Sequence, residues 1–259
     1  MKQIDRPLHM REGEVLYFDK PLTWTSFDLV NKFRYRVCRR MGIKKLRVGH
    51  AGTLDPLATG VMILCTGRAT KQIDILQAGT KEYIATIRLG ATTPTYDRES
   101  EPDAFFPYEH ITRETVLDIL PRFVGEIEQV PPVFSAVRVD GRRAYDLARK
   151  GQEIVLKARI LQIDEIELLN FSLPLITLRI VCSKGTYIRA LARDIGEALQ
   201  SGGYLEALQR TRVGDARIED CLSIEDLEQW FDRLGFANEP EFDMQPKSLS
   251  ALVPANTNN

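Results

Sequence analysis

The chain has 259 residues, 44% hydrophobic, 27% charged and 8% aromatic, a profile that excludes global disorder and fits one large folded domain or two small ones. Its 35 Lys and Arg against 36 Asp and Glu leave a net charge of −1, which taken alone offers nothing to a polyanionic partner. No apolar run approaches the roughly 18 to 20 residues of a membrane span, and the charged N-terminus lacks a secretory pattern, so a cytoplasmic location is expected.

Elements follow in chain order. Val15 to Phe18 reads as a short strand stopped by Asp19-Lys20-Pro21. Thr25 and Asp28 form a capping box, after which Phe27, Val30, Phe33 or Arg34, and Val37 recur at helical spacing. The first basic run starts on this helix: Lys32 to Arg47 holds eight cations and no acid. Lys81 to Leu89 alternates, with Tyr83, Ala85, Ile87 and Leu89 on one face, as a half-buried strand does. Thr112 to Arg122 reads as a short helix opened by Thr112. A second basic cluster, Arg138, Arg142, Arg143, Arg149 and Lys150, comes next. Leu175 to Cys182 predicts a strand buried on both faces, and Thr186 to Leu199 a helix capped by Thr186 with Ile188, Leu191, Ala192, Ile195 and Leu199 on one stripe. From Glu219 to Asp243 nine acids face one base, Arg233, with a helix expected over Ser223 to Arg233. Strands and helices alternate without the regular spacing of βαβ units, which predicts an α+β fold with a mixed sheet. The basic runs read either as solvated faces or as a groove for a phosphate backbone, masked in the total by the acidic tail.

Candidate chemistry is sparse. The four cysteines, Cys38, Cys65, Cys182 and Cys221, form no C-x-x-C pair and are expected to be reduced and mostly buried, and the three histidines, His9, His50 and His110, lie far apart. Metal centres and Ser-His-Asp hydrolases are therefore disfavoured, and no metal is expected. The densest signal is the run from Gly49 to Gly60, GHAGTLDPLATG, where three glycines free the backbone and Pro56 biases Asp55 towards an extended conformation. Two readings stay open for Asp55: a carboxylate presented for chemistry, or a helix N-cap with Pro56 at the first helical position. No phosphate-loop pattern occurs in the run. Arg189 falls in the first turn of its expected helix, where the dipole disfavours a cation and a compensating anion is called for.

These residues resemble the TruB family of tRNA pseudouridine synthases. The resemblance rests on Asp19-Lys20-Pro21 with Trp24-Thr25-Ser26, the Gly49–Gly60 run, Lys81-Glu82-Tyr83 and Gly185-Thr186-Tyr187-Ile188-Arg189, with Gln129 to Ala136 as a further segment. It spans roughly residues 12 to 215. It implies the pseudouridine synthase fold, a mixed and largely antiparallel central sheet flanked by helices and loops. The implied activity is isomerisation of a T-loop uridine of tRNA to pseudouridine, on a base flipped out of the RNA and without a cofactor.

Asp55 matches the family's covalent aspartate, Arg189 the arginine that pairs with it, and Tyr83 the tyrosine that stacks on the base. His50, Tyr187, Leu208 and Lys20 match substrate-binding positions. Arg142, Arg143 and Arg149 become candidate contacts to T-arm phosphates. Residues 1–215 would form the catalytic domain, with a thumb-like RNA-binding insertion over about 122–150, and 216–259 a short acidic segment without the PUA module of many members; a monomer is expected. Thr23 departs from the family, which often has glycine there, and the stretch from Arg39 to Arg47 is slightly extended. A folding factor that opens tRNA without catalysis, and a phosphotransferase needing further carboxylates near Asp55, are the competing readings.

Overall fold

The computed structural model describes residues 4–135, 137–139, 141–152 and 154–237. In chain order the strands are β1 (Val15–Lys20), β2 (Val48–His50), β3 (Ala58–Thr66), β4 (Lys81–Leu89), β5 (Ala91–Thr92), β6 (Ala104–Phe105), β7 (Gly125–Gln129), β8 (Arg138–Val139), β9 (Arg142–Arg143), β10 (Arg159–Ser172), β11 (Leu175–Cys182), β12 (Gly203–Val213) and β13 (Ala216–Arg217). The α-helices are α1 (Ser26–Arg40), α2 (Ile73–Ala78), α3 (Arg113–Ile119), α4 (Ala144–Ala148), α5 (Ile188–Ala198) and α6 (Leu227–Leu234).

Nine strands make one sheet whose path runs β1-β3-β12-β4-β11-β10-β7, with β2 on β3 and β13 on β12. Every pairing in it is antiparallel except β3 with β12, so the expected mixed, largely antiparallel sheet is present. Period two explains most of it: β4 alternates buried and half-buried along its whole length, as its sequence predicts. For β11 the expectation of burial on both faces is corrected. Thr177 and Arg179 are only half-buried, and Arg179 reaches Glu82, Glu165 and Glu167 in an ion-pair network across three strands. β3 is the strand buried on both sides, with Met62 and Leu64 in one cluster and Val61, Ile63 and Cys65 in another.

One face of the sheet carries α3 and α5 over β4, β10, β11 and β12, with Leu191, Ala192 and Ile195 at the centre. At the β1–β3 end, α1 and α6 share a second core in which Phe18, Phe33, Leu227, Trp230 and Phe231 meet. The expected α1 stripe needs one correction: Phe27 is 62% exposed, and the buried set is Ser26, Leu29, Val30, Phe33 and Val37. The stripe is rotated because Ser26 turns inward to bind the next loop. The helix at Thr112 ends at Ile119 and continues as a 3-10 turn over Leu120–Phe123. The acidic helix begins at Leu227, later than the expected Ser223, whose hydroxyl instead accepts the Glu225 amide N–H at 3.1 Å in a local turn.

Basic and acidic runs meet here. Arg36 lies 3.4 Å from Glu228, and Arg40 pairs with Asp232. Exposed pairs of this kind contribute about 0–1 kcal/mol each. Each buried large side chain of α6 contributes about 1.5–3 kcal/mol, so apolar contact holds α6 in place and the charges select its register. The four cysteines are free, with Cys65 and Cys182 buried and Cys38 and Cys221 half-buried.

Candidate active site

The run after β2 is not a helix start, so Asp55 is not an N-cap. It is an extended loop closed by a turn in which the Ala58 amide donates to the Asp55 carbonyl at 3.1 Å, and β3 follows at once. Four groups clamp this turn. The Ser26 hydroxyl, at the start of α1, donates to the Leu54 carbonyl at 2.9 Å and accepts from the Leu54 amide at 2.8 Å. The Thr23 amide donates to the Pro56 carbonyl at 2.9 Å. Thr23 keeps the left-handed conformation that glycine would favour, φ 69°, so the family departure leaves the turn intact. Lys20 Nζ, fully buried, donates to the carbonyls of Trp24 at 2.6 Å, Pro21 at 2.9 Å and Pro56 at 3.4 Å.

The fourth clamp is Arg210 on β12, a residue sequence reasoning passed over. It is 2% exposed and gives Nε to Val61 O at 2.8 Å, Nη2 to Gly52 O at 3.2 Å and Nη1 to Thr53 O at 3.3 Å. The parallel β3–β12 pairing sets Arg210 opposite Gly60. Gly60 has φ +104°, and a Cβ there would lie 2.2 Å from the Arg210 carbonyl oxygen, so glycine is required.

Arg189 approaches Asp55 from α5. Its Nε lies 2.9 Å from Asp55 Oδ2, an ion pair whose N–H is not aimed along a hydrogen-bond line. Nη1 donates to Thr95 O at 3.2 Å and Nη2 to Phe134 O at 3.1 Å. The anion that the helix-start argument called for is therefore present, although the cap is not as expected. Thr186 turns back to Ser183 O at 3.1 Å, and Tyr187 holds the N-cap position without a side-chain bond.

Asp97, also missed in the sequence, puts its buried carboxylate 3.6 Å from the same Arg189 Nε. Thr95 Oγ1 donates to it at 2.6 Å and the Glu99 amide at 2.9 Å. Asp55 is the exposed partner, 40% accessible against 5% for Asp97. The guanidinium is thus shared between one buried acid and one that faces solvent.

Tyr83 on β4 is buried and pairs in register with Arg210. Burial pushes its phenol above the usual 10.0, the Arg210 charge opposing, so it is a neutral hydroxyl at pH 7. Burial likewise lowers the His50 imidazole below 6.5, and its buried Nδ1 has no partner. Lys20 is lowered to about 8 by burial, with Asp55 and Asp19 pulling the other way. Leu208 sits in register between Ala58 and Ala85, two strands from β11. Tyr187 is fixed through its backbone: its N–H donates to Gln129 Oε1 at 2.9 Å, and Gln129 Nε2 donates to its carbonyl at 3.2 Å.

The segment expected as a thumb, about 122–150, begins within the main sheet as β7 and then carries the short β8–β9 hairpin and α4. Phe134 packs edge-on against Tyr145, and the exposed Arg149 lies over the Tyr145 ring at 4.8 Å. Arg142 is exposed, and Arg143 lies beside it in β9. This segment touches the site through the Phe134 carbonyl on Arg189. Among the described residues no group of His, Cys, Asp or Glu is placed to hold a metal ion, and no helix is long and apolar enough to cross a membrane.

Comparison with known proteins identifies the family. The model of the TruB family pseudouridylate synthase N-terminal domain matches residues 39–188, and that of the tRNA pseudouridylate synthase B C-terminal domain matches 189–245. A Phocaeicola vulgatus protein named tRNA pseudouridine synthase B is 68% identical over 226 residues, covering 87% of this chain and 96% of the relative. One of that name from Bacteroides thetaiotaomicron is 64% identical over 238 residues, covering 90% and 99%. Among solved structures, a chain in a crystal structure of a Cbf5-Nop10-Gar1 complex aligns with TM-score 0.63 and 26% identity, over 86% of this chain and 55% of that one. A sheet whose single parallel pairing supports a clamped, arginine-paired aspartate turn, in a chain that both models match, belongs to the TruB family of pseudouridylate synthases, and the chain is accordingly an isomerase.

Proposed function

We propose that the chain converts a uridine in the T loop of tRNA to pseudouridine, with Asp55 as the covalent catalyst on a base flipped out of the RNA. The observation that carries this reading is the Asp55 carboxylate, 40% exposed on a turn held from four sides, and 2.9 Å from a buried Arg189. Relatives that share most of this chain and bear the name tRNA pseudouridine synthase B support tRNA as the substrate.

The reaction is balanced without a redox partner or cofactor. Asp55 bonds to ribose C1′ as the bond from uracil N1 to C1′ breaks, the base turns, C5 bonds to C1′ and releases the Asp55 carboxylate, and the proton displaced from C5 is made good at N1. Arg189 and the clamps fix the direction of the nucleophile, a positional contribution. Tyr83 offers an apolar ring with a neutral hydroxyl as a wall for the base. His50, a neutral flat ring, is suited to enter the stack that the base leaves, since extrusion itself costs a few kcal/mol. Tyr187 and Leu208 bound the uracil. Lys20 acts through the turn, because its three donors are all committed to carbonyls.

Residues 1–215 are read as the catalytic unit with a thumb over about 122–150, and 216–259 as an acidic segment. The enzyme is read as a cytoplasmic monomer that grips the T arm.

Asp55→Asn tests the assignment. The amide keeps the shape and cannot attack, so pseudouridine formation on an unmodified tRNA transcript should disappear while tRNA affinity changes by less than about tenfold. Product formation by this variant would remove Asp55 from the role. Wild-type binding without any product would favour the folding-factor alternative.

A further inference from the structure

Helix α1 carries three faces. Leu29, Val30, Phe33 and Val37 turn inward, and Arg36 and Arg40 turn to the acids of α6. The third face repeats at i, i+3, i+4 and i+7 as Asn31, Arg34, Tyr35 and Cys38, and it lines a pocket of about 500 Å³. The opposite wall is Lys44, Lys45 and Leu46. No acid occurs between Asp28 and Asp55 in the sequence, and no carboxylate lines the pocket. Asn31 Oδ1 accepts from Arg34 Nη2 and so aims the guanidinium. Tyr35 is 61% exposed, a large ring left in water between cations.

The α6 carboxylates define what is left over. They pair two of the α1 cations on one side and leave this side without a carboxylate partner among the described pocket residues, open to an anion from outside. A duplex backbone needs only a convex row of cations. A concave pocket in the 300–1,000 Å³ range of small-ligand sites, with an aromatic face beside three cations, fits phosphate and base together. Continuity with the active site selects the source. Ser26, which binds Leu54 next to Asp55, stands nine residues before Tyr35 on the same helix, about 13 Å at 1.5 Å per residue. From the other wall the chain runs through β2 directly to His50.

We propose that this pocket holds one unpaired nucleotide of the substrate RNA, its phosphate between Arg34, Lys44 and Lys45 and its base stacked on Tyr35. The proposal rests on the reading of RNA as substrate. It adds an anchor remote from the reacting base that sets affinity and register.

The test is fluorescence anisotropy of a labelled whole-tRNA transcript with wild type, Tyr35→Ala, Tyr35→Phe and the double variant Lys44→Ala/Lys45→Ala. All three positions are exposed, so the variants should fold, which circular dichroism verifies. Loss of the ring should weaken Kd by about tenfold, with Tyr35→Phe close to wild type. Loss of both lysines should reduce the slope of log K against log salt by up to about 0.7 to 0.9, the share of the single phosphate they hold with Arg34. In both cases KM should rise far more than kcat falls. Unchanged Kd and salt slope would overturn the proposal. Two further probes separate other occupants: free UMP, or polyglutamate, bound by wild type and lost in Tyr35→Ala while tRNA affinity is kept, would assign the pocket to a free nucleotide or to an acidic protein, and either overturns it. Product formation by wild type and Asp55→Asn on the same transcript is read in parallel, so failure of the active-site reading shows separately.

Discussion

Two buried cations, Lys20 and Arg210, lie under the Asp55 turn with carbonyl oxygens as their hydrogen-bond partners. Carbonyls satisfy donors but do not neutralise charge, so both cations add positive potential beneath the Asp55 carboxylate, which favours its anionic form. For Lys20 this has a pH signature. Its folded value of about 8 lies below the ordinary 10.5, with burial the main cause; Asp55, Asp19 and Asp28 raise it and Arg210 lowers it. Between those two pH values the unfolded chain binds more protons, so this group makes stability rise with pH there. Activity should move the other way, because above pH 8 the ammonium loses its charge and one of its three donors. We expect kcat to fall above pH about 8 with no matching drop in Tm, and Lys20→Met to remove that limb while lowering kcat at pH 7. A high-pH limb that persists in Lys20→Met would assign it to another group.

At the scale of elements, the position of Arg189 depends on where α5 begins, and a side chain from another strand decides that. Gln129, at the end of β7 and 1% exposed, forms two hydrogen bonds with the backbone of Tyr187. Together they stand in for the cap that Thr186 does not provide. Gln129→Ala leaves a donor and an acceptor unpaired, a loss of about 1–3 kcal/mol, or roughly 2–4 °C in Tm per kcal/mol for a domain of this size. Because Arg189 lies two residues into the helix, kcat should fall as well. Gln129→Glu, which keeps the acceptor, should recover part of both. A fall in Tm with kcat unchanged would show that α5 finds its start without Gln129.

At the scale of the whole molecule, the two basic runs have different fates. The first is divided by α6, which pairs Arg36 and Arg40 and leaves the pocket side open. The second rides on the segment after β7, which meets the active site at the Phe134 carbonyl on Arg189. Neutralising Arg142, Arg143 and Arg149 together should therefore act on grip rather than chemistry. At roughly 0.7 to 0.9 per phosphate contact, the salt slope should fall by about 2. KM should rise, with kcat on saturating tRNA affected much less. A large loss of kcat at saturation would mean that the segment orders Arg189 in the bound state.

Much of this protein was legible in its sequence because local rules act within a few residues. Period two in β4, the capping box of α1, the apolar stripe of α5 and the dense glycine run each follow from short-range sterics and burial, and the ordered motifs carried Asp55, Tyr83 and Arg189 with them. The cap reading of Asp55 was excluded only by the fold, in which the turn runs straight into β3, paired in parallel with β12. Asp97 and Arg210 carried no local signal, and Gln129 stood in a recognised segment without its role being read, since each owes that role to a partner 92, 157 or 58 residues away in the chain. The inward turn of Ser26, the exposure of Phe27 and the pairing of α1 with α6 were equally beyond reach. Periodicity fixes which residues share a face, but only packing decides which face meets the core, and only the fold brings a buried cation to a distant loop.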